Sequence, residues 1–129
     1  MTFVEIQQDV ISRYRINICQ DSKCWRRMHA HVKERKVCKW HPKAGAVATF
    51  DLLHEIGHIE THTSKMRRVE SEYYATVWAI ERAREYGIIS KIPDRTRTLY
   101  QEYILNELDR GLRRGGSGYM TREQLTLEW

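Results

Sequence analysis

The first apolar residues, Phe3, Ile6, Val10 and Tyr14, recur at a spacing that keeps them on one side of a helix, so an amphipathic helix is predicted over residues 3–14. Beyond it the period shortens. RINIC alternates, as does MHAHVKERKVCKW on either side of a charged KER turn, which predicts strands near 15–19, 25–32 and 36–40, the last two as a hairpin. Pro42 ends the third, because proline cannot donate to a strand ladder and restricts the residue before it. From Ala44 the pattern is helical to about His62, and again from Arg68 to Tyr86, where Gly87 suits a helix C-terminus. A further helix is predicted over 94–113, with Leu99, Tyr103, Leu108 and Leu112 as its buried side. The expected class is α+β, a small three-stranded antiparallel sheet packed against helices. Residues 1–114 form a single domain in this reading, and 115–129 a tail that either wanders or docks through Leu125, Leu127 and Trp129.

Within the second helix lies His54-Glu55-Ile56-Gly57-His58, an H-E-x-x-H pattern. At about 100° per residue the two histidines stand about 40° apart on one face, one turn above the other, where both imidazoles can reach one zinc ion. Glu55 is offset by about 60° from His58, able to act on a zinc-activated water as general base without being a ligand. On a solvated helix face these would be ordinary polar residues. Leu52, Ile56 and Ile59 on one side and Phe50, Leu53 and Gly57 on another leave the His/Glu stripe as the single polar sector of an otherwise apolar helix. Gly57 costs about 1 kcal/mol relative to alanine in a helix, which implies that another backbone approaches closely there.

A zinc site needs a third protein ligand. His62 continues the four-residue ladder but would sit about 12 Å along the axis from His54 if the helix persists, too far for both to lie about 2 Å from one ion. In the next helix Val69, Tyr73, Thr76, Ile80 and Ala83 define a buried face; Glu72 falls beside its small residues, whereas Glu70 points more toward solvent. Glu72 is therefore the first choice, with Glu70 and His62 as alternatives. Two histidines, one carboxylate and an open fourth position form the catalytic rather than the structural kind of zinc site. The chemistry expected is hydrolysis of a peptide bond, with His62, Tyr73 and Tyr74 as candidates for a second donor to the oxyanion.

Composition changes this picture little. A net charge of +5 over 129 residues is modest and does not point to nucleic acid as the main partner. No apolar run approaches the roughly 20 residues of a membrane span, and the N-terminus lacks the pattern of a secretory signal, so a cytoplasmic protein is expected. Three cysteines, Cys19, Cys24 and Cys38, are read as reduced thiols. With His41 they have a spacing loosely like that of a second, structural zinc site, but a buried thiol is the commoner use of cysteine. His29 and His31 read as edge-strand residues, and Trp25, Trp40 and Trp78 as packing anchors.

LLHEIGHIETH and the following VESEYYATVWA resemble the active-site helix and the next helix of compact zincin metallopeptidases of the ImmA/IrrE type. That resemblance implies a minimal zincin-like fold and a stand-alone, gluzincin-like peptidase. It also implies phage or prophage origin, and action on a protein such as a repressor or defence component. The family's glutamate is followed by alanine and asparagine, whereas Glu72 is followed by Tyr73-Tyr74, which leaves Glu70 and Glu72 both open. The alternative reading is a zinc-stabilised binding protein that inhibits a host or defence factor by contact, using Arg26-Arg27 or Arg113-Arg114.

Overall fold

The structure, a computed structural model, describes residues 1–19, 28–38 and 40–129. Its elements run α1 (Phe3–Arg13), β1 (Asn17–Cys19), β2 (His29–His31), β3 (Lys36–Cys38), α2 (Ala46–Thr61), α3 (Arg68–Glu85), a 3-10 turn (Ile89–Lys91) and α4 (Asp94–Arg113). The class is α+β, as the alternation of periods predicts. Among the described residues no helix is long and apolar enough to cross a membrane.

Helix α1 begins with a reciprocal cap, Glu5 N donating to Thr2 Oγ1 at 3.1 Å and Thr2 N to Glu5 Oε1 at 2.9 Å. It buries Ile6 and Val10 fully, with Phe3 and Tyr14 half-buried at the edges of the same face. Buried Gln7 is satisfied on both sides: its amide nitrogen donates to Lys43 O (2.7 Å) and Thr49 Oγ1 (3.0 Å), and its oxygen accepts from Trp40 Nε1 (3.1 Å). One side chain thus joins α1 to the segment that launches α2, and Trp40 is the anchor its residue type suggests. Trp78 is another, edge-on to Tyr14 at 4.9 Å. Trp25, Cys24, Arg26 and Arg27, and the start of the second predicted strand, lie outside the described residues.

The sheet is mixed rather than antiparallel. Its order is β1-β3-β2, with β3 antiparallel to β2 and parallel to β1. The hairpin fixes only the β2–β3 relation; the path from β1 to β2 brings β1 beside β3 in the same direction. Arg35, at φ +48°, closes the hairpin turn, and its guanidinium reaches Tyr14 O (2.7 Å) and the Glu60 carboxylate of α2. Ile18, Val37 and Ala30 form one row across the three strands and pack against the core. Cys19, Cys38 and His29 form the neighbouring row, on the opposite face by the two-residue alternation of strands.

Helix α2 is apolar nearly all round, with Phe50, Leu52, Leu53 and Ile56 fully buried. Against it lies α3, whose inner face carries Ala75, Thr76, Ala79 and Ala83, all fully buried. A Cβ built on Gly57 would lie 2.4 Å from the carbonyl oxygen of Ala75, so the two backbones touch where Gly57 leaves room, as its presence inside a helix suggests.

Helix α4 turns a different side inward from the one predicted. Leu99, Tyr103 and Leu112 are exposed, and Ile104, Glu107 and Leu108 are buried with Tyr100 beside them. At about 100° per residue Leu99 and Leu108 face opposite ways, so those four predicted positions do not share a face. The tail docks. Leu125 and Leu127 are buried, Gln101 clamps the chain by donating to Leu125 O (2.9 Å) and accepting from Leu127 N (2.7 Å), and Trp129 packs on Phe50 with ring centres 5.1 Å apart.

Candidate metal centre

His54 and His58 project from successive turns of α2 with ring centres 4.7 Å apart, and α3 places Glu72 between them. Glu72 Oε2 lies 3.1 Å from His54 Nε2 and 3.3 Å from His58 Nε2. His54 and Glu72 are buried and His58 half-buried, and the three form one of two groups of metal-ligating atoms gathered within 4.8 Å among the described residues.

These separations are short, yet His54 Nε2 and Glu72 Oε2 have no hydrogen-bond partner although both are enclosed. Bonds of about 2.0–2.1 Å to a tetrahedral ion put neighbouring ligand atoms roughly 3.3–3.4 Å apart. The observed 3.1 and 3.3 Å are close to that edge. Two imidazole nitrogens and one carboxylate oxygen also form a donor set that zinc accepts. By spacing and donor chemistry the three residues fit a zinc ion, and two of their enclosed atoms, His54 Nε2 and Glu72 Oε2, have no hydrogen bond that a metal would displace.

Without metal the same atoms form a coupled charge pair. Burial acts to lower the His54 pKa, but Glu55 and Glu72 outweigh it and raise it from 6.5 to about 9. Burial likewise acts to raise Glu72, and the close approach and charge of His54 and His58 bring it down from 4.5 to about 2. Glu72 is therefore ionised, and His54 must give up its proton before it can hold a cation.

The surroundings hold the ligands in orientation. His58 Nδ1 lies 3.1 Å from Ser71 Oγ, leaving Nε2 for the shared centre. The ring of Tyr100, from α4, meets His54 edge-on at 5.0 Å, and its hydroxyl donates to Asp51. Burial and the Asp51 charge hold that phenol well above its ordinary pKa, so it stays protonated and keeps its donor role. Ser71, Tyr100 and Asp51 do not stand out in the sequence. Ser71 is recognisable only once Glu72 is chosen, and Tyr100 only once the inward face of α4 is known.

The other candidates lie elsewhere. Glu55 Oε1 is 3.7 Å from His54 Nδ1, and its side chain is 20% exposed, beside the centre but outside the ligand group. Glu70 caps α3, accepting from Arg67 N at 3.4 Å. His62 follows the last residue of α2 with an extended backbone (φ −63°, ψ 134°) and is exposed. Tyr73 and Tyr74 meet edge to face at 5.2 Å, with Tyr74 exposed. Of the cysteine-rich set, Cys19 and Cys38 are register partners, while His41 is exposed and in neither group of metal-ligating atoms. No protein-family model, curated protein or solved structure matches this chain.

Proposed function

We propose that the chain is a zinc-dependent metallopeptidase that hydrolyses a peptide bond in a protein partner, with His54, His58 and Glu72 as ligands and Glu55 as general base. The observation that carries this reading is the convergence of His54 Nε2, His58 Nε2 and Glu72 Oε2 on one buried point where His54 Nε2 and Glu72 Oε2 lack hydrogen bonds. Bound there, zinc supplies a Lewis acid for the scissile carbonyl and lowers the pKa of water toward about 7.

The chain's own residues do the rest. Ser71 and the Tyr100–Asp51 pair hold the two imidazoles in orientation, so little rearrangement is needed when substrate arrives. Glu55, next to His54 and outside the ligand set, takes the proton of the attacking water and passes it to the departing amine. Its partial exposure leaves the carboxylate accessible from solvent. The substrate is a cytoplasmic protein or peptide in this reading.

The test is Glu55→Gln, a near-isosteric change beside the metal. The variant is expected to keep its zinc and its melting temperature and to lose cleavage of a quenched fluorogenic peptide library by about 10²–10⁴-fold. Unchanged cleavage with zinc in place would exclude this mechanism.

A further inference from the structure

The second group of metal-ligating atoms lies on strands β2 and β3. We propose that His29, His31 and Cys38 form a separate metal site of mixed imidazole and thiolate character, suited to zinc, that ties β2 to β3. His29 is the register partner of Cys38, and His31, two residues along β2, shares its face by the alternation of strands. One ligand atom from each lies within 4.8 Å of the other two. The two imidazoles stand 4.9 Å apart, edge to face.

Cys38 is 6% exposed although it belongs to the row facing away from Ile18, Val37 and Ala30. His29 is half-buried and His31 exposed, so the group runs from a covered thiol to an accessible imidazole. The chain has six histidines and three cysteines; finding two of the first and one of the second on one face of two three-residue strands calls for a common cause. Lys36, across from His31, directs its ammonium to Glu34 at 3.2 Å, so its charge is partly offset at the site's edge.

Thiolate and imidazole together favour zinc over magnesium or calcium, which prefer oxygen. Strands of three residues contribute only a short ladder between β2 and β3. A metal held by both strands would fix the register on which the Val37 row depends. The site requires nothing of the peptidase reading, and either can fail without the other.

Metal content and cobalt spectroscopy on the full chain test it, because the centre between α2 and α3 contains no sulfur. Two zinc ions per chain are expected in the wild type, and one each in His54→Ala and His31→Ala. With cobalt replacing zinc, a thiolate-to-metal charge-transfer band is expected in the wild type and in His54→Ala, and none in Cys38→Ser. Because Cys38 is buried, its replacement could unfold the sheet; exposed His31 provides the independent variant. Absence of the band from the wild type, its survival in Cys38→Ser, or a zinc content unchanged by His31→Ala would each overturn the proposal.

Discussion

Glu72 gives the candidate centre its charge. Its carboxylate is driven inward by the helix face it occupies, and two imidazoles meet it there. In metal-free protein the pair has a definite pH signature. Glu72, lowered to about 2, contributes stability that is present above 4.5 and lost as pH falls through about 2. His54, raised to about 9, contributes stability that is full below 6.5 and lost as pH rises through about 9. Chelator-treated protein should therefore draw most from the pair between pH 4.5 and 6.5. Zinc reverses the preference of His54, because a ligand must be deprotonated, so the zinc-dependent rise in melting temperature should grow from pH 5 toward pH 8. Thermal melts with and without chelator check this; a zinc effect independent of pH would contradict it. At this scale the candidate group was legible in part: helix geometry ranks Glu72 above Glu70 and His62, and the contact of Glu72 with both imidazoles is what brings those three residues together. The supports Ser71, Asp51 and Tyr100 were not legible, since what identifies them is contact between elements far apart in the chain.

Among the elements, the contact of α2 with α3 sets how near Glu72 comes to the histidines. Gly57→Ala gains about 1 kcal/mol in helix propensity, but its methyl would stand 2.4 Å from a backbone oxygen of Ala75 that cannot swing aside. Separating the helices should outweigh that gain and leave the variant about 1–3 kcal/mol less stable, with weaker zinc binding. Chemical denaturation alongside a zinc competition titration measures both, and a stabilised variant would show that the helices can part freely. Gly57 and the small residues of α3 are visible in sequence, and so was this contact. The side of α4 was not. Leu99, Tyr103 and Leu112 attract attention by being apolar, whereas the inward side is held by Tyr100, Ile104, Glu107 and Leu108. Nor could alternation within short strands reveal that β3 lies between β1 and β2, because strand order depends on the path of the connection, not on which residues are apolar.

Across the whole molecule, the C-terminal tail supports the wall behind the candidate centre. Trp129 lies on Phe50, Phe50 meets Tyr100 edge-on at 5.0 Å, and Tyr100 meets His54. Leu125→Ala should cost about 2–5 kcal/mol, the range for a buried leucine. Gln101→Ala should release the tail at lower cost, since it removes the Gln101 partner of Leu125 O and Leu127 N without opening the core. Urea unfolding separates the two; equal stability of Leu125→Ala and wild type would mean the tail does not contribute to the core. The sequence allowed a docked or a wandering tail, and only the apolar surface left by α2 and α4 decides between them.

The central claim is that Glu72, together with His54 and His58, holds a zinc ion. Its most direct measurement is the zinc affinity of Glu72→Ala beside Glu70→Ala, read by competition with a chromophoric chelator in a His31→Ala background that removes the proposed sheet site. Glu72→Ala is expected to bind at least about 100-fold more weakly, more than loss of an outer partner usually costs, while Glu70→Ala keeps the affinity of its parent. Full affinity in Glu72→Ala, or its loss in Glu70→Ala instead, would contradict the account.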